Sequence, residues 1–429
     1  MSKKYHILYI MTFSPKFGYI KGNTSLDRAA HVWHNSKGEQ IGVWQEDWAY
    51  QLGNRMLKKF DHYTWEVWRP DVRADKVYTN TFDNDLLTKS FPVKNIKLWS
   101  GIKKSEFIFS PQMLLYLEKY INNKPENIEY LLVMPASRNA FALKIREKFK
   151  GKIAMHYNHF LYARMLLGEW RFNINPIRFL HDNVKLWQQE QFLKSIKSLM
   201  VAHKEFIAEI NKKFSCEVNF NTMGANLDYW NPDVSSINAK KELAIEDNGH
   251  IFLFSSRLVP EYQIHKILKV IGDLKNKKFH CFFTSQGPEK YGQLLKNLIN
   301  KYNIDDKVTF SGYVDEDKLK LLYSAADTFF MTSLVNAGPM STFYAMLMQC
   351  QVITTDAGLA AEILKENDCG IIVPATNYKK WKQAMQYAIN GNEIKKMDSA
   401  IINNLFNWEN RSEKWDQIFT DAIKIHKTL

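Results

Sequence analysis

The sequence predicts an α/β protein of two domains, each a parallel sheet flanked by helices. Three observations lead there. The 429 residues exceed what one core organises and suit two domains of roughly 200 residues each. Short runs rich in β-branched and aromatic residues alternate with helical stretches, the pattern of parallel strands joined by crossover helices. A polar, turn-prone segment, Asn231-Pro232-Asp233-Val234-Ser235-Ser236-Ile237-Asn238, breaks that alternation and sets the domain boundary near residue 235.

In the first half the predicted strands are 7–11, 130–134, 153–156 and 198–202. In the second half they are 251–255, 279–284, 308–311, 328–331, 352–355 and 370–373, a cleaner alternation. The stretch 173–211 carries Phe179, Val184, Trp187, Phe192 and Ile196 at helical spacing and reads as one or two helices with a core-facing stripe. Trp48, Trp65, Trp68 and Trp170 adjoin charged residues, and either pack in a core or line a groove for an acceptor.

Composition narrows the class. With 45% hydrophobic and 24% charged residues the chain is a folded globular protein. Its apolar runs fall far short of the ~20 residues of a membrane-spanning helix. Residues 1–11 read as a first strand rather than a leader, which implies a cytoplasmic protein. Cys216, Cys281, Cys350 and Cys369 show no CxxC pairing and are expected to be reduced thiols in the core.

The net charge of +13 fits nucleic acid, an anionic membrane surface or phosphate-bearing substrates. The basic run 144–152 reads as a solvated helix end, with a patch for anionic lipid headgroups as the alternative. No nucleic-acid motif appears, so no nucleic-acid partner is expected. No GxGxxG turn follows the first strand, which argues against a dinucleotide-dependent oxidoreductase. No DxD or histidine cluster offers metal-ligand spacing.

The chemistry concentrates in Ser333-Leu334-Val335-Asn336-Ala337-Gly338-Pro339-Met340-Ser341-Thr342-Phe343-Tyr344-Ala345-Met346. A strand ending at Met331 feeds a turn with Gly338 and Pro339, and a helix starts around Met340. Unpaired amides at that helix start and the positive end of its dipole make a seat for a diphosphate. Tyr344, one turn on, lies on the face of Met340 and borders the pocket that Asn336 lines from the loop.

This constellation resembles the retaining glycosyltransferases of the GT-B fold, family 4 type, in which two Rossmann-like domains face each other across a cleft. The family has two glutamates separated by seven residues; here those positions hold Asn336 and Tyr344. Asparagine still hydrogen-bonds a sugar hydroxyl, whereas tyrosine does not accept two bonds from a ribose diol as a carboxylate does.

Further segments follow the family's order. Phe254-Ser255-Ser256-Arg257-Leu258-Val259-Pro260-Glu261 resembles its G-R-L-x-P-E turn, with Arg257 at the phosphate-binding position and Tyr262 where a lysine usually stands. A guanidinium suits a diphosphate leaving group on which charge grows. Thr284-Ser285-Gln286-Gly287-Pro288 resembles V-G-x-G-P, and Phe310-Ser311-Gly312-Tyr313-Val314 resembles the segment facing the base. Asn221-Thr222-Met223-Gly224-Ala225-Asn226-Leu227-Asp228 through Pro232 is similar to the stretch before the linker, and 406–429 to a terminal helix that crosses back to the first domain.

In the first half, Ile153-Ala154-Met155-His156 resembles the strand whose histidine faces the donor sugar, with His159 the alternative. The loop 14–25, with Gly18, Lys21 and Gly22, follows the first strand as a surface loop or a phosphate-side loop. The charged stretch 67–76, or the surroundings of Trp48, is the expected acceptor region.

The resemblance therefore implies domains at 1–235 for the acceptor and 236–405 for the nucleotide sugar, with 406–429 returning to the first. It implies His156, Asn336 and Arg257 as catalytic residues. Arg257, Gly287, Tyr313, Val314, Gly338, Pro339, Met340, Ser341 and Tyr344 would bind a nucleoside diphosphate sugar, with no metal and no cofactor beyond that donor. The acceptor would be a glycan or lipid-linked hydroxyl met in the cytoplasm or at the inner face of an anionic membrane. Loss of both glutamates also admits a degenerate relative that binds or stabilises a partner.

Overall fold

The computed structural model describes residues 4–12, 32–38, 40–43, 48–94, 109–134, 140–159, 183–184, 187–188, 190–201, 204, 207–245, 249–285, 287–334 and 340–428. The chain forms two compact units: Met1–Lys21, Leu26–Met223 and Trp408–Leu429 make the first, and Gly224–Asn407 the second.

The first unit opens with β1 (Lys4–Ile10), followed by a small antiparallel pair, β2 (Val32–His34) and β3 (Gln40–Val43). Then come β4 (Tyr63–Asp71), β5 (Tyr78–Thr81), β6 (Leu87–Pro92), β7 (Ile128–Met134), β8 (Ala154–His159), β9 (Ser198–Val201) and β10 (Glu217–Phe220). Eight of these form one sheet in the order β10-β9-β8-β7-β1-β4-β6-β5, parallel throughout except at β5.

Strand side chains alternate between faces, and the register shows what each face does. Val67, Tyr9, Val133, His156 and Ser198 form one row across β4, β1, β7, β8 and β9. This face packs with Trp415, Ile418, Phe419, Ala422 and Ile423 of the terminal helix Trp408–Lys427. The opposite face carries Glu66, which is 2% exposed. Lys89, Tyr120 and the indole of Trp68 at 2.6 Å all donate to its carboxylate. That internal pairing is what lets a charged residue sit in a central strand.

The second unit contains β11 (His250–Ser255), β12 (Phe279–Thr284), β13 (Val308–Gly312), β14 (Thr328–Met331), β15 (Gln351–Thr355) and β16 (Ile371–Val373). They form a parallel sheet in the order β13-β12-β11-β14-β15-β16. Such a sheet is buried on both faces, and β11, β12 and β14 are accordingly near-continuous apolar runs. The helix Ile264–Leu274 buries Ile264, Ile267, Leu268, Ile271 and Leu274.

Two expectations change. The passage between units falls at Met223 and Gly224 rather than near residue 235. The reason is packing: Ala225 N donates to Phe406 O at 2.8 Å, Tyr229 donates to Asp317 at 2.9 Å, and Lys320 pairs with Asp233 at 2.8 Å, all within the second unit. The segment 67–76, expected as an acceptor region, is largely core, with Val72, Asp75 and Lys76 exposed. Its first half is the end of β4, and Arg73, 7% exposed, forks onto Asp71, 0% exposed, through bonds of 2.9 and 2.7 Å. Trp65 and Trp68 are core residues.

The stripe predicted in 173–211 divides: Phe192 and Ile196 are buried, whereas Val184 and Trp187 are exposed. Residues 198–201 of that stretch are β9, as the strand reading requires. Cys281, Cys350 and Cys369 are buried thiols and Cys216 is half-buried. Among the described residues no helix is long and apolar enough to cross a membrane.

Candidate functional site

In open parallel sheets ligands bind beyond the carboxyl ends of the strands. At that edge of the second unit the loops after β11, β12 and β13 are tied together. Ser285 N, following β12, donates to Gly312 O at the end of β13 at 2.5 Å. Thr284 Oγ1 donates to Ser255 Oγ at 2.9 Å, joining the ends of β12 and β11. A Cβ on Gly287 would lie 1.7 Å from the carbonyl oxygen of Leu258, so the turn after β12 touches the Arg257 loop only because glycine stands there. The end of β14 joins the same edge: Leu334 N donates to Glu261 O at 3.0 Å, and Thr332 Oγ1 to Tyr262 O.

Arg257, Gly287, Tyr313 and Val314 are thus gathered by three neighbouring strand ends, those of β11, β12 and β13. Arg257 is exposed, and among the described residues its guanidinium makes no ion pair or side-chain hydrogen bond. Tyr313 is exposed beyond Gly312, whose φ of 68° turns the chain there. A free guanidinium beside converging main-chain groups is a receptor for an anion.

The helix Met340–Leu347 begins at Met340, where the sequence places it. Ser341 is half-buried; its carbonyl accepts from Tyr323 at 2.9 Å, which fixes the first turn. Asn336, Gly338 and Pro339 lie outside the described residues, as do the loop 14–25, Trp170 and Gln286. The side chains of Trp48 and His159 do too, although His159 is the last residue of β8.

Tyr344 departs from expectation. Its ring stacks on Trp230, centroids 4.1 Å apart and planes 14° from parallel. Trp230 also meets Tyr323 edge-on at 5.9 Å. Trp230 is 3% exposed, so the tyrosine is half-buried against a core indole and is not a free wall of a ribose pocket. Sequence reasoning missed Trp230, although it closes the motif that precedes the linker.

His156 is a clearer correction. It is 1% exposed, its Nδ1 lies 2.8 Å from Ser198 Oγ, and its ring meets Trp415 and Phe419 edge-on at 6.4 and 5.6 Å. The row it belongs to faces the terminal helix, against which the ring is buried.

The fold is that of the GT-B architecture, two units each built on a parallel sheet. Residues 235–408 match the family model for glycosyl transferases group 1. An uncharacterized glycosyltransferase of Methanocaldococcus jannaschii is 22% identical over 44% of this chain, and the match spans 48% of that relative's length. Sucrose-phosphate synthase from Thermosynechococcus elongatus superposes with a TM-score of 0.72 at 14% identity, covering 98% of this chain and 100% of that one. Anabaena HepE, solved in complex with UDP, gives 0.61 at 12% identity over 97% and 99%.

Proposed function

We propose that this chain is a retaining glycosyltransferase that moves a sugar from a nucleoside diphosphate donor to a hydroxyl, in surface polysaccharide, lipopolysaccharide or glycolipid synthesis. The carrying observation is the convergence of the loops after β11, β12 and β13 on Arg257, whose side chain is unpaired among the described residues, with Gly287 admitting the Leu258 carbonyl. In this reading the diphosphate lies on Arg257 and the start of the helix Met340–Leu347, while Tyr313 and Val314 border the base.

Arg257 stabilises charge that grows on the diphosphate as the bond from the anomeric carbon to its oxygen breaks. The acceptor oxygen bonds that carbon from the same side, and its proton passes to the departing phosphate oxygen. No other cofactor enters this scheme. The first unit takes the acceptor, a glycan or lipid-linked hydroxyl. The net charge of +13 favours anionic carriers and contact with the inner face of an anionic membrane from the cytoplasm.

HepE was solved with UDP and with UDP-glucose, so UDP-sugars head a thermal-shift and hydrolysis screen that also includes GDP-, ADP-, TDP- and CMP-sugars. A donor that raises the melting temperature of the wild type but not of Arg257→Ala, with slow nucleotide release, supports the proposal. The Tyr344–Trp230 stack favours a second reading, a degenerate relative that serves as a binding partner. No shift and no turnover with any donor would select it.

A further inference from the structure

Tyr323 lies in the helix Glu316–Ala325, between β13 and β14, and is 1% exposed. Its ring is clamped in the core of the second unit. Trp230 meets it edge-on at 5.9 Å, the ring of Phe329 in β14 lies 5.8 Å away, and its main-chain carbonyl accepts from Cys350 Sγ at 3.2 Å. Close packing on these sides sets where the phenol oxygen stands.

That oxygen is a junction. It donates to the carbonyl of Ser341, in the first turn of the helix Met340–Leu347, at 2.9 Å. The hydroxyl of Ser255 donates to the phenol in turn. Ser255 ends β11, two residues before Arg257, and its own oxygen accepts at 2.9 Å from Thr284 Oγ1, which ends β12 three residues before Gly287. Thr284, Ser255 and Tyr323 thus donate one to the next, and the run closes on a main-chain carbonyl. All three are buried. Such a chain is stiff, because a member that moves leaves its neighbour without a bond where no water replaces it.

We propose that Tyr323 is a positioning residue for the nucleoside diphosphate: through Ser255 and Ser341 it fixes the spacing between the Arg257 loop and the start of the helix Met340–Leu347. The inference rests on the donor reading, in which the diphosphate lies on those two places. Two anchors bind one ligand together only when their spacing is set beforehand. The phenol itself is buried and acts through the two segments it joins, so its removal changes affinity without removing any group that touches the ligand.

The test is calorimetric titration of the full chain with UDP, GDP and ADP, repeated with whichever binds on Tyr323→Phe, Ser255→Ala, the double variant and Arg257→Ala. Tyr323→Phe keeps the ring and its packing and deletes only the oxygen. Expected is affinity about tenfold weaker in each of Tyr323→Phe and Ser255→Ala, with the melting temperature of the free protein within about 4 °C of wild type. Since both act through one chain, the double variant is also only about tenfold weaker, not weakened by the product of two losses. Unchanged affinity in Tyr323→Phe overturns the inference, and Arg257→Ala alongside it tells whether the donor reading survives. Multiplied losses in the double variant overturn it too, as does a loss of affinity that comes with a much larger fall in melting temperature. Should Tyr323→Phe not fold, Ser255→Ala carries the test by the same criterion. A wild type that binds none of the three nucleotides overturns the donor reading and this inference with it.

Discussion

Tyr344 stacks on Trp230 with their rings 4.1 Å apart and 14° from parallel, which joins the helix after β14 to the segment that enters the second unit. The pair is a packing device at a position where the family resemblance expects an acid. Trp230→Ala is therefore expected to destabilise the second unit by about 3–5 kcal/mol, and Trp230→Phe, which keeps a stacking ring, by much less. Urea unfolding followed by circular dichroism reads both. Equal losses for the two variants would remove the stack from the account.

Arg257→Ala tests the donor seat with little risk to the fold. The side chain is exposed and bonded to nothing among the described residues, so stability should stay within about 0.5 kcal/mol of wild type. Sugar-nucleotide hydrolysis should fall by roughly 10²-fold or more. A variant with full turnover would move the diphosphate elsewhere.

Gly287→Ala reaches the same seat through the backbone. Its Cβ meets the Leu258 carbonyl oxygen at 1.7 Å, so one of the two loops must shift. A stability loss of about 1–3 kcal/mol is expected together with a weaker donor-induced thermal shift. An unchanged shift would show that the two loops need not touch for donor to bind.

Most strands of the second unit are legible because its parallel sheet is buried on both faces and reads as apolar runs, as in Phe252, Leu253 and Phe254. In the first unit β4 is hidden by the charged residues Glu66, Arg69 and Asp71; Lys89 pairs with Glu66 and Arg73 with Asp71. Pro70 adds to the disguise, yet it lies beyond Trp68, the last β4 residue registered with β1. The candidate site is legible in part for a related reason. Strand-end turns carry local signals such as Gly287, whereas the fate of His156 depends on Trp415 and Phe419, far away in sequence.

His156→Ala follows from that correction. Removing a ring buried against the terminal helix should cost about 2–4 kcal/mol while leaving turnover per folded molecule unchanged. A fall in turnover without loss of stability would return His156 to the catalytic set.

Acid should weaken the first unit through His6. Burial lowers its pKa to about 4; Glu66 opposes the change and Lys89 adds to it. Unfolded, the ring titrates near 6.5, so as pH falls the unfolded chain takes up the proton first. The stabilisation is complete above about pH 6.5 and is lost on descent to about pH 4, worth about 3 kcal/mol. Unfolding measured between pH 7 and 4.5 should show a shallower decline in His6→Gln, and parallel declines would contradict this assignment.

The bond from Ala225 N to Phe406 O, 2.8 Å long, fastens the two ends of the second unit to each other. Residues 224–407 thus make a movable cassette: they could be excised and expressed alone, or spliced into a host loop, with only a short bridge between the new ends. The first unit has no such independence. Its row of Tyr9, Val133 and His156 is roofed by Trp415 and Phe419, so a chain cut after residue 407 exposes that face to water. A stop codon ahead of Trp408 would therefore harm the part of the protein made first, not the part made just before the cut.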